Sequence, residues 1–157
     1  MNNKQWVIVL KSLGAPVDTN IIEFCFTIDS LKRSGVSEIV AIISYLGYSR
    51  GDHVFSDGDS VPLEVVIKMI QAQGVDKIII IDPHSIKTAD IFSIPTTALS
   101  AIPIFANKIK EMGFDMKKVT LVSPDMGGIR RVEKLCELLE CESITVINKL
   151  LKNLSSM

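Results

Sequence analysis

The chain has 157 residues, 47% of them hydrophobic, and its 17 basic and 18 acidic residues leave a net charge of −1. That length suits a single domain with a substantial core, and the apolar content excludes an intrinsically disordered chain. The balanced charge gives no electrostatic footprint for nucleic acid or an anionic membrane, and no apolar run reaches the roughly 18 residues of a membrane span.

The first strand is predicted over 6–10 (W-V-I-V-L). A helix follows over 20–34, where Ile21, Phe24, Ile28 and Leu31 repeat at helical spacing, with Asp18 or Thr19 as cap and Gly35 as stop. A second strand is expected at 38–44, a helix at 62–73 and a third strand at 77–82. A helix at 100–112 carries Pro103 in its first turn. A fourth strand at 119–123, a helix at 127–139 and a fifth strand at 143–147 complete the series. The strands are continuous β-branched runs, not alternating ones, which predicts burial on both faces. The expected class is α/β: one doubly wound, mainly parallel five-stranded sheet with helices on both faces, in a single domain over 1–157.

In such sheets ligands bind beyond the carboxyl ends of the strands. Every predicted strand end here runs into polar or glycine-rich sequence. Asp82 and His84 flank a proline after the third strand; they suit a shared metal ion, or else a local cap and hydrogen bond. Arg50 and Asp52 lie in a long loop after the second strand. Arginine's planar fork suits phosphate there, the alternative being a solvated loop. Asp125, Gly127 and Gly128 open a helix whose free N–H groups could face an anion or a sugar, or they make a tight turn. No Walker A loop, G-x-G-x-x-G, G-x-S-x-G or Ser-His-Asp order is present. Cys25, Cys136 and Cys141 form no C-x-x-C and read as structural thiols, with a redox or metal role as the alternative.

These loops together resemble ribose-phosphate pyrophosphokinase. A-P-V-D-T-N-I-I-E at 15–23 is similar to the family's A-P-x-x-D-N-L-M-E, and I-S-Y-L-G-Y-S-R-G-D at 43–52 to its I-P-Y-F-x-Y-A-R-Q-D. D-P-H-S at 82–85 resembles D-L-H-A, I-F-S-I-P at 91–95 resembles F-F-D-I-P, and S-P-D-M-G-G-I-R-R at 123–131 resembles S-P-D-x-G-G-x-x-R-A. The resemblance implies a phosphoribosyltransferase-like fold. It also implies transfer of diphosphate from ATP to ribose 5-phosphate, with magnesium, in a homo-oligomer or beside a second chain; the N-terminal residues lack the apolar segment of a signal peptide, so a cytoplasmic location is the expectation. By the same resemblance Arg50 and Asp52 would contact ATP, and Asp82 and His84 would lie at the magnesium–ATP site. Asp125, with Gly127 and Gly128, would face the ribose phosphate and its metal, and Lys149 would be the catalytic-loop lysine. Asp82, His84 and Asp125 would converge on one cleft.

Several positions depart from the family pattern. Gly51 replaces a glutamine, Glu64 a lysine, and Ser93 and Thr97 two aspartates, while Leu150 and Leu151 replace the arginines after Lys149. The sequence also ends before the family's second domain. These departures imply an isolated chain without turnover. The alternative is a non-catalytic nucleotide-binding or regulatory relative.

Overall fold

The computed structural model describes residues 5–141 and the backbone of 143–146. By its contacts the chain divides into two compact units, one up to Leu99 and one from Ser100.

In the first unit, four parallel strands lie side by side in chain order: β1 (Trp6–Ser12), β2 (Glu38–Tyr45), β3 (Lys77–Ile81) and β4 (Thr96–Leu99). Register places Val7 beside Ile39, Val9 beside Ala41, Ala41 beside Ile78 and Ile43 beside Ile80. These residues share one face. Ile21, Phe24, Cys25 and Ile28 of α1 (Val17–Arg33) and Leu63, Val66, Ile67 and Ile70 of α2 (Pro62–Ala72) pack on it. The helical spacing that named this stripe in the sequence is therefore the core stripe. Helix α1 starts at Val17, three residues before its expected start, with Pro16 at the cap position; the Asp18 carboxylate does not cap it and instead accepts the Tyr48 hydroxyl.

Asp76 fastens this layer from below. Its carboxylate accepts the Ile39 amide at 2.8 Å and the Lys32 ammonium at 2.6 Å, joining β2, the end of α1 and the turn into β3. Burial pushes the Asp76 carboxyl up, but Lys32 and the Ile39 amide together outweigh it and hold it below its ordinary value.

The second unit contains α3 (Ile102–Glu111), β5 (Thr120–Ser123), α4 (Ile129–Leu139) and β6 (Ser143–Val146). Here β5 and β6 pair in parallel, and α3 packs on α4.

The α/β class and the parallel pairing agree with the sequence reading; the strand inventory differs. Where one five-stranded sheet was expected, the described residues hold six strands, four in one sheet and two in another. The added strand is β4, whose T-T-A-L is too short and too polar to read as an apolar run. Within the first unit α1 and α2 cover one face of the four-stranded sheet. On the opposite face Ile8 is 66% exposed, with Trp6 and Leu10 beside it along β1.

Candidate functional site

In the first unit the strand ends form a continuous rim. Leu13, just past β1, donates its amide to the Tyr45 carbonyl at the end of β2. The next loop then crowds the first. A β-carbon on Gly47 would lie 2.5 Å from the Leu13 carbonyl oxygen and 2.6 Å from a Val17 methyl, so only glycine fits. Tyr48 follows with φ of +60°, a left-handed conformation that costs an aromatic residue energy. Its hydroxyl donates to Asp18 at 2.6 Å, which ties the loop to α1 and pushes the phenol pKa upward.

This pinned turn presents Arg50 and Asp52. Arg50 is exposed. Asp52 has a side chain only 12% exposed, and its carboxylate contacts the Nδ1 of His53. The His53 hydrogen bond holds the Asp52 carboxyl below the usual carboxylate range. Burial opposes this, and the charges of His53 and His84 add to it. The role of His53 was missed in the sequence, where an Asp-His neighbour pair carries no spacing signal.

At the end of β3, Asp82 leaves the strand with φ of +43° and donates its amide to the Leu99 carbonyl at 2.8 Å. The left-handed residue turns the chain sharply out of the strand, and His84 beyond it is exposed. Ser85 caps the short helical turn Ile86–Ile91 through the Lys87 amide at 3.3 Å. The local cap considered for Asp82 thus falls to Ser85.

The departures from the family pattern have local causes. A β-carbon on Gly51 would meet three Pro62 ring carbons at 3.1, 3.1 and 3.2 Å, so a long side chain there requires α2 to give way. Glu64 pairs with Lys68 one turn on, at 3.2 Å, as a surface pair of α2. Ser93 donates its amide and its hydroxyl to Gln71 Oε1, at 2.6 and 3.0 Å, which fastens this segment to α2. Nothing in the structure explains Thr97.

The second unit carries the Asp125 turn. Asp125 accepts the Gly128 amide at 2.8 Å, and the buried Ser123 hydroxyl donates to the Asp125 carbonyl at 2.7 Å. A β-carbon on Gly128 would sit 2.6 Å from that hydroxyl, and one on Gly127 would sit 3.3 Å from the carboxylate. The glycines thus serve close approach within the turn, and one carboxylate oxygen of Asp125 is already used as a helix cap. Lys149, Leu150 and Leu151 lie outside the described residues.

Among the described residues no three His, Cys, Asp or Glu side chains are grouped closely enough to hold a metal ion by themselves. No described helix is long and apolar enough to cross a membrane.

A model of the N-terminal domain of ribose phosphate pyrophosphokinase matches residues 3–74. The chain is 35% identical over 143 residues to a ribose-phosphate pyrophosphokinase of Fusobacterium nucleatum, covering 91% of this chain and 45% of that protein. It is 36% identical over 136 residues to one from Methanobrevibacter smithii, covering 87% of this chain and 45% of that protein. The crystal structure of phosphoribosylpyrophosphate synthetase from Mycobacterium smegmatis superposes with a TM-score of 0.79 at 27% identity, over 88% of this chain and 46% of that one. The chain thus spans about half the length of the relatives it matches.

Proposed function

This chain is a relative of the amino-terminal domain of the ribose-phosphate pyrophosphokinases, and from that premise we propose that it holds ATP with magnesium at the ends of β2 and β3. The reaction served is transfer of diphosphate from ATP to the C1 hydroxyl of ribose 5-phosphate. The observation that carries this reading is the rim of loops at these strand ends, where an exposed Arg50 neighbours an Asp52 held by His53 and Asp82 turns out of β3 at a φ of +43°.

Each residue has a role its chemistry suits. Arg50 offers two parallel N–H donors to phosphate oxygens. Asp52 stays ionised and fixes His53, so the rim keeps its shape when an anion arrives. Asp82 would bind magnesium through its carboxylate and His84 would hold one of the ion's waters. A hard cation that keeps several waters and takes substrate phosphates fits a site with few protein ligands. When bound, the ion neutralises charge on the phosphate oxygens. Asp125, Gly127 and Gly128 are assigned by resemblance to the ribose-phosphate side, where the free N–H groups opening α4 face an anion. Lys149 is assigned by the same resemblance to the catalytic loop.

The isolated chain binds nucleotide but does not turn over. Leu150 and Leu151 stand where the family has arginines, and each lost donor to a developing oxyanion costs about 3 kcal/mol of barrier. The close fit of Gly51 against Pro62 favours a second reading, a non-catalytic subunit that joins a homo-oligomer or a second chain in the cytoplasm.

Phosphorus NMR of the chain with ATP, magnesium and ribose 5-phosphate tests the proposal. Shifted or broadened ATP resonances without product are expected. Phosphoribosyl pyrophosphate and AMP signals would overturn the loss of turnover, and an unchanged ATP spectrum would overturn the nucleotide site.

A further inference from the structure

The carboxyl end of α4 brings two thiols together. Glu140 there adopts the left-handed conformation, with φ of 57° and ψ of 38°, and its amide donates to the Cys136 carbonyl. The Cys141 amide reaches the same carbonyl at 3.3 Å. This is the helix-ending turn in which the residue past the left-handed one folds back on the residue five before it, often with an apolar contact between the two side chains. Cysteines occupy both places in this chain. The Cys136 sulfur lies 2.8 Å from the Cys141 carbonyl oxygen, and the Cys141 sulfur 3.8 Å from the Cys136 carbonyl oxygen. A disulfide needs α-carbons about 4.4–6.8 Å apart, and the hydrogen bond from the Cys141 amide to the Cys136 carbonyl draws the two backbones together at this turn. The remaining cysteine, Cys25, is buried on α1 in the core of the first unit.

We infer that Cys136 and Cys141 form a dithiol site that closes to an intrachain disulfide on exposure to a low-molecular-weight disulfide. Cys136 is buried and Cys141 is partly exposed, so the reagent meets Cys141 first. The Cys141 thiolate attacks one sulfur of glutathione disulfide, forms a mixed disulfide and releases one glutathione thiolate. The Cys136 thiol then gives its proton to solvent and attacks the Cys141 sulfur, expelling the second glutathione thiolate. Two protein thiols are oxidised and one small disulfide is reduced to two thiols. Burial and the neighbouring Cys136 push the Cys141 thiol up to about 11, so the first step runs through a small thiolate fraction and is slow at neutral pH. The closed bond locks the left-handed turn that leads from α4 into β6.

Trypsin is expected to cut after Lys134 and Lys149, which places both cysteines in one peptide. The folded chain is incubated with excess glutathione disulfide at about pH 9 and digested without reductant. The expected result is that this peptide loses two hydrogens and carries no glutathione. The Cys136→Ser chain should instead keep one glutathione on Cys141. A wild-type peptide that stays reduced, or that retains glutathione on either sulfur, overturns the inference. A second probe needs no oxidant. One phenylarsine oxide should bind per chain, losing its oxygen as water as two arsenic–sulfur bonds form, and either Cys136→Ser or Cys141→Ser should abolish binding. Failure of the wild-type chain to bind it would likewise refute the juxtaposition.

Discussion

Replacing Asp76 probes how the first unit is held together. The Asp76 carboxylate accepts the amide of Ile39, a residue with no exposed surface, and pairs with Lys32 across a partly exposed contact of 2.6 Å. Asp76→Ala leaves the Ile39 amide without that acceptor, which costs about 1–3 kcal/mol. The ion pair adds at most about 1 kcal/mol because solvent screens it. The expected loss is about 2 kcal/mol. Lys32→Met removes only the pair and should cost about 0.5 kcal/mol. With a urea dependence of about 1–3 kcal/mol per molar, Asp76→Ala shifts the midpoint down by roughly 1 M. The single tryptophan, Trp6 on β1, reports unfolding of this unit. The folded-state pKa of Asp76 lies below its unfolded value. Its contribution is therefore full above the unfolded pKa of about 4 and fades as pH falls through the folded pKa. Wild type and Asp76→Asn should converge in stability as pH drops below about 4. Equal losses from Asp76→Ala and Lys32→Met, or a difference between wild type and Asp76→Asn that is constant down to acid pH, would refute the reasoning.

Other consequences are open to the same treatment. Among the described residues the buried Thr88 hydroxyl has no hydrogen-bond partner, so Thr88→Val should raise the urea midpoint by the equivalent of about 1 kcal/mol. Gly128→Ala drives a methyl toward the Ser123 hydroxyl and should destabilise the second unit by about 1–3 kcal/mol, measured by amide exchange along α4. Cys141, with its thiol pushed up to about 11, should react with iodoacetamide about a hundredfold more slowly at pH 8 than an ordinary thiol, the rate rising with pH until about 11.

Much of the architecture was legible because it depends on periodicity. Ile21, Phe24 and Ile28 repeat at helical spacing, and the isoleucine runs at 39–43 and 78–81 are unbroken by polar residues. What escaped depends on contacts across the chain. The strand T-T-A-L has no apolar signature and exists because β3 offers an edge. Asp18 looked like a helix cap until Tyr48, folded to a positive φ, claimed its carboxylate. The C-x-x-x-x-C spacing was visible, but the thiols meet only because Glu140, not a glycine, takes the left-handed turn. Arg50, Asp52, Asp82 and His84 were singled out through the rule that ligands bind at strand ends. The part played by His53 was not, because it rests on a neighbour contact without a spacing rule.

The measurement that bears most directly on the central claim is calorimetric titration of the chain with ATP and magnesium, beside His84→Ala. Saturable binding that depends on magnesium is expected, weakening by about tenfold or more in the variant, the equivalent of roughly 1.4 kcal/mol at a charged phosphate site. Binding of equal strength in both chains, or no heat in either, would contradict a nucleotide site at the ends of β2 and β3.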